Sequence, residues 1–176
     1  MKVFDKIPTM EEDALMNLFH NALKIISENS TMKPNAEKCI ALIEKEWERR
    51  IELAKQGNYK HTRPQVGMLS HFGYKVGEHE GIKKKNRRVL LDYIFTSKLP
   101  MVHSPSYLLE WGDPNTEERL KKMSQSLAYF AKQKRRLDED KFEKAIMDWE
   151  DDLDYLKEKY YDGNNFGFTW PDTMSY

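Results

Sequence analysis

Apolar positions recur with a helical period at both ends of this chain and lose that period in its middle. Leu15, Leu18, Phe19, Ala22 and Ile26 follow one another at three- and four-residue intervals, which is one face of an amphipathic helix. Thr9 and Glu12 stand ahead of them at capping-box spacing. A second stripe, Ile40, Ile43, Trp47, Ile51 and Ala54, opens after Pro34 and stops at Gly57, residues suited to a first helical turn and to a helix end. The short connection at Ser30–Lys33 predicts that these two helices pair antiparallel.

The far end repeats the design. Asn115 and Glu118 form a second cap-like pair ahead of Leu120, Met123, Leu127, Phe130 and Ala131. Asp138 is placed to cap the next helix, whose stripe is Phe142, Ile146, Trp149, Leu153, Leu156 and Tyr160. With so short a junction, these helices too should fold back as a hairpin. Between the ends, Met68–Phe72 suggests one helical turn capped by Gly73, and a helix is expected over Lys83–Ser97. A proline-rich connector follows, with one short helix at Ser106–Trp111. No strand alternation competes with these patterns.

The expectation is an all-α protein, a helical bundle of two long helical hairpins (9–57 and 115–161) packed together in a single domain. The Gly/Pro-rich segment 58–114 bridges them, and a tail, 162–176, carries Phe166, Phe168 and Trp170. Such aromatic surface predicts that the tail either packs on the body or docks a partner.

Charge changes this picture more than composition does. The formal net charge is zero, but its blocks are unequal. Residues 60–101 sum to +6, residues 121–137 to +6 and residues 138–162 to −7. Such asymmetry serves either a binding face or complementarity between neighbouring helices. Cys39 is the one cysteine, which rules out an internal disulfide and suits a reducing, cytoplasmic setting. No apolar run approaches the length of a membrane span and none resembles a secretory leader, so no membrane partner is expected.

Candidate chemistry concentrates in four places. Gly73, Gly77 and Gly81 precede a basic knot, but no Gly-Lys-Ser/Thr closes the run and no strand leads into it, so a chain corner fits better than a nucleotide loop. In the knot itself, Lys83, Lys84, Lys85, Arg87 and Arg88 crowd a helix start, where the dipole disfavours cations unless an anion docks there. Nucleic-acid phosphate or the acidic run 148–154 would supply one. A second basic face combines Lys121, Gln125, Tyr129, Lys132 and Arg136, charge interleaved with an aromatic as in backbone contact plus stacking. Asp148, Asp151 and Asp152 share a helix face and raise Mg²⁺ as a minor alternative. His61, His71, His79 and His103 lack metal-ligand spacing, and no nucleophilic motif is present. No cofactor and no catalytic residue are expected.

The pieces "GYKVG", "RRVLLDYIF", "LPMVHSPSYLLEWGDPNTEERLKKM" and "AIMDWEDDLDYLKEKYY" resemble a bacterial helical domain family of mobile-element and defence neighbourhoods, with no assigned activity. The resemblance spans Gly73–Tyr161, and its distinctive part is the Glu-Trp-Gly-x-Pro corner followed by Arg119-Leu120. It implies an accessory role, sometimes beside helicase-like proteins, and brings no catalytic residues. The function expected is therefore a non-enzymatic interaction module for a larger protein, contacting it through Lys83–Arg88 and Phe166, Phe168 and Trp170. Direct nucleic-acid binding by the two basic faces is the alternative, and a metal-dependent nuclease is the second alternative.

Overall fold

A computed structural model describes residues 3–28, 31–60 and 66–174. Among these residues every regular element is helical and none is a strand. The elements are α1 (Val3–Lys6), a 3-10 turn (Ile7–Thr9), α2 (Glu12–Ser27), α3 (Lys33–Lys55), α4 (Met68–His71), α5 (Lys84–Thr96), α6 (Pro105–Leu109), α7 (Glu117–Leu156) and a π-helical turn (Lys157–Tyr161). They form two compact units: Met1–Gly67 with Leu99–Leu108, and Met68–Lys98 with Leu109–Tyr176.

The first unit is built on the α2–α3 hairpin; Ser30, in the connection expected between them, lies outside the described residues. Leu15, Phe19 and Ala22 of α2 bury against Ile40, Ile43 and Trp47 of α3, and the Phe19 and Trp47 rings lie 5.5 Å apart. Glu12, near the start of α2, reaches Arg50, near the end of α3, which fixes the antiparallel sense. The expected capping box is not formed. Thr9 belongs to the 3-10 turn and its hydroxyl donates to the Lys6 carbonyl. Glu12 is instead buried, accepting from the Tyr59 hydroxyl at 2.7 Å. Arg50 donates to Glu46 at 2.7 Å and to the Met10 carbonyl, and burial with the Glu12 charge pushes the Tyr59 phenol up to about 12. At its far end α3 stops where expected: Gly57 has φ +76°, and the Asn58 and Gly57 amides bond back to Leu53 and Ala54, a Schellman closure that satisfies the last carbonyls.

In the second unit α7 is continuous by hydrogen bonding but bent back on itself at Asp138, whose φ and ψ are −172° and 95°. A straight helix would hold Phe130 and Trp149 roughly 28 Å apart at 1.5 Å per residue; their rings are 5.9 Å apart. Arg135 likewise reaches Glu150 at 2.9 Å. The expected C-terminal hairpin is present, and Asp138 caps its second arm by accepting from the Lys141 amide at 3.0 Å. At the start of α7 the cap is Thr116, which accepts from the Arg119 amide. Asn115 is unsuited to the role expected of it, because it takes a left-handed φ of 61° in the turn before.

Helix α5 lies along the second arm of the hairpin and runs the same way. Contacts step forward together: Lys84 with Asp151, Arg87 with Asp152, Asp92 with Tyr155 and Tyr160, and Phe95 with Tyr160. Helix α6 ends at Leu109, two residues short of the expected Trp111. Trp111 lies beyond it, 1% exposed, and the chain turns through Gly112 at φ +65°. A side chain at position 112 would meet the Glu118 Cβ at 2.7 Å, so the corner needs glycine for space as well as for φ.

Candidate functional site

The basic knot and the acidic helix meet. Arg87 is 3% exposed and all three of its nitrogens are engaged. Its Nε donates to Asp152 at 2.6 Å, one terminal nitrogen to the Ile82 carbonyl at 3.2 Å, and the other to Asp152 at 3.4 Å, with Asp148 at 3.2 Å. Asp152 also accepts from the buried Tyr74 hydroxyl at 2.7 Å. Outside this buried pair, Lys84 and Arg88 reach Asp151 at 2.6 and 3.4 Å, and the Arg88 guanidinium lies over the Tyr155 ring at 4.5 Å. The anion that a helix start so rich in cations calls for is therefore supplied by α7.

The glycine turn takes part in the same arrangement. Gly73 ends α4 in a Schellman closure with Tyr74, while Gly77, at φ +94°, donates its amide to Asp148 at 3.0 Å. A side chain on Gly81 would fall 2.2 Å from the Gly77 carbonyl oxygen, so the loop closes on itself. The turn does grip an anion, and that anion is the Asp148 carboxylate. Lys144 completes its shell at 2.5 Å.

These environments set the charge states. Burial would raise the Asp148 carboxyl, but Lys144, the Gly77 amide and Arg87 together hold it below the usual carboxylate range. Asp152, fully buried, is pushed up by that burial against the pull of Arg87 and Tyr74. The Tyr74 phenol is raised far out of the physiological range by burial and the Asp152 charge. Burial works against the Arg87 charge, but Asp152 and Asp148 outweigh it and Arg87 stays a cation.

The remaining candidate residues fall in different surroundings. Lys83, Lys85 and Lys121 are exposed and make no ion pair among the described residues. Tyr129 is 56% exposed, beside Phe130. Lys132 pairs with Asp172 at 3.0 Å, and Arg136 is exposed on the same arm. Phe168 is buried within its own unit, packed on Tyr161 at 5.1 Å, while Phe166 and Trp170 are half-exposed around the same ring. Cys39 is buried and its thiol is raised by that burial. His61 lies outside the described residues. Among the described residues no group of three His, Cys, Asp or Glu is arranged to hold a metal ion, and no helix is long and apolar enough to cross a membrane.

Two clusters, one buried and one half-buried, escape the sequence patterns. Arg119, 2% exposed, donates to four carbonyls, Ile94, Ser97, Trp111 and Gly112. No carboxylate pairs with it among the described residues, and burial lowers it to about 10 against the opposing charge of Asp113. Asp92 accepts from Tyr155 and Tyr160 and from Lys159 at 2.8 Å. Beside the glycine turn, a cleft of about 640 Å³ is floored by Phe130, Phe142 and Trp149. Comparison with protein-family models, with curated proteins and with solved structures finds no match to this chain.

Proposed function

We propose that this chain is a non-enzymatic interaction module that docks on a larger protein, in a nucleic-acid-processing or defence assembly of the kind its resembling domains accompany. The observation that carries the reading is the internal use of the basic knot. Lys84, Arg87 and Arg88 are paired with Asp148, Asp151 and Asp152, so three of the five cations in the densest positive run are already matched within the fold and the run gives less to a polyanion. The carboxylates a metal would need are engaged by the same contacts. Meanwhile the α7 hairpin leaves Tyr129, Phe130, Leu137 and Met147 exposed, large apolar groups of the kind that anchor protein contacts.

Direct nucleic-acid binding keeps one supporting observation: Lys83, Lys85 and Lys121 are exposed without ion pairs among the described residues, and Tyr129 is exposed as well. Fluorescence anisotropy with short single- and double-stranded DNA and RNA, at about 50 and 200 mM salt, separates the two readings. The interaction reading expects no saturable binding at either salt. Micromolar binding that weakens steeply with salt and is lost in a Lys83→Ala, Lys85→Ala, Lys121→Ala variant would overturn it.

A further inference from the structure

The segment after the π-helical turn is held to the helices through its main chain. It has no regular secondary structure, yet its exposure alternates: Phe166 half-buried, Gly167 exposed, Phe168 buried, Thr169 exposed, Trp170 half-buried. Its main chain is met by side chains of the hairpin. The Gly167 amide donates to Glu117 at 2.7 Å, the Phe168 carbonyl accepts from the Tyr161 hydroxyl, and the Thr173 carbonyl accepts from Arg135. Its own side chains reply, Asp172 to Lys132 and the Thr173 hydroxyl to Glu150.

The contacts also run in order. From Gly167 to Asp172 the segment advances from Glu117 to Lys132, fifteen helical residues or roughly 22 Å at 1.5 Å each. Five residues of extended chain span at most about 18 Å at 3.6 Å each, and the long Glu and Lys side chains cover the difference. At Thr173 it touches both arms, Arg135 on the first and Glu150 on the second. A segment that bends at Gly167 and Phe168 and has no regular structure beyond them, with its backbone bound by side chains, alternate residues seated and a charged anchor at one end, has the form of a bound peptide. Asp162–Asn165, all exposed, tether it, and Gly163 has open space around it.

We propose that the surface of the α7 hairpin formed by Glu117, Lys132, Arg135, Glu150 and Tyr161 is a docking site for an aromatic–x–aromatic–Pro–acidic segment of a partner protein, occupied in the free chain by residues 166–173. The proposal rests on the interaction-module reading and supplies its partner's chemistry. Tyr161 takes the aromatic pair, Glu117 a main-chain amide, Lys132 the acid, and Arg135 with Glu150 the residue after it. Because the resident segment is tethered, a partner competes against an effective concentration in the millimolar range. Binding is therefore weak until the tether's anchors are loosened or the partner is presented at comparable local concentration.

The test uses the 176-residue chain and a fluorescein-labelled peptide of residues 164–174. Wild type should bind the peptide weakly, and a Phe168→Ala, Trp170→Ala variant of the same chain about tenfold more tightly, since its own segment no longer competes. In that background Lys132→Glu should abolish the gain, and a peptide carrying Asp172→Lys should restore it. If circular dichroism shows that the double variant has unfolded, Asp172→Ala with Thr173→Ala, which touches only the outer anchors, takes its place. No peptide binding by a folded variant, or binding indifferent to the charge exchange, overturns the docking site. That outcome is distinct from salt-steep nucleic-acid binding, which would overturn the interaction reading and leave the peptide result standing.

Discussion

Each end of α5 is held by a buried arginine, one met by carboxylates and the other by carbonyls, and the contrast explains how one hairpin orients the helix. At its N-terminal end Arg87 meets two carboxylates from the second arm of α7. At its C-terminal end Arg119, from the first arm, meets only carbonyl oxygens, two of them, Ile94 and Ser97, at the close of α5 itself. A helix C-terminus carries partial negative charge and leaves its last carbonyls unpaired. A guanidinium placed there is solvated by the helix end without a counter-ion. The N-terminal end needs the reverse. Its Lys84, Arg87 and Arg88 become tolerable there because α7 brings three aspartates to them, while Lys83 and Lys85 stay in solvent. One arginine is stabilised by ions, the other by dipoles.

The largest effect should come from the dipole-solvated end. Arg119→Ala removes donors from four carbonyls at once, two of the contacts buried and two half-buried, and the loss should be on the order of 5 kcal/mol, read as a lowered urea midpoint at unchanged slope. Arg119→Lys should recover only part of it, because an ammonium has three donors and lacks the planar fork. If Arg119→Ala costs less than about 1 kcal/mol, the corner is held by Trp111 packing and the comparison of the two ends fails.

At the ion-paired end a double-mutant cycle sharpens the contrast. Arg87→Ala strands Asp152 and Asp148 in a buried place and should cost about 3–4 kcal/mol. Arg87→Met combined with Asp152→Leu should cost less than Arg87→Ala alone, since removing both charges also removes the need to desolvate them. Tyr74 would then lose its acceptor at Asp152, so some deficit should remain, and Tyr74→Phe in the same background should remove it. A double variant as unstable as Arg87→Ala would mean the site needs its charges.

Much of this is legible in the sequence. The periodic stripes place both hairpins, and Asp138 and Gly57 mark a cap and a stop because their chemistry is local. The unequal charge blocks are visible, and so is the option that they cancel. What does not show is which charges are buried. Arg87 is spaced with Leu90 and Ile94, Arg119 with Met123 and Leu127, and Arg50 with Ile43 and Trp47, each at helical intervals on an apolar stripe. A charge standing on such a stripe is the signal for a buried network, but its partners come from other elements and from main-chain carbonyls, which no spacing rule reaches. Thr116 in place of Asn115, and a first helix capped at Glu11 instead of Thr9, are boundary errors of one and two residues.

The smallest of these effects concerns pH and belongs to the ion-paired end alone. Asp148 is held below its ordinary value of 3.8, so the folded state binds its proton less readily than the unfolded chain does. Its stabilising contribution is complete above that ordinary value and is lost as pH falls through the lowered one. Asp148→Asn removes the charge that Lys144, Gly77 and Arg87 engage, and should cost about 1.5 kcal/mol at neutral pH. The difference from wild type should then shrink as pH drops below the ordinary carboxylate range, because the native Asp148 becomes neutral too. Thermal melts of both proteins from pH 7 down to the acid limb read this directly. Arg119 carries no carboxylate among the described residues, so introducing Asp148→Asn into an Arg119→Lys background should give the same convergence with and without the second substitution. Curves that stay parallel to the lowest pH would show that Asp148 stabilises through its shape and hydrogen bonds, with its charge contributing nothing.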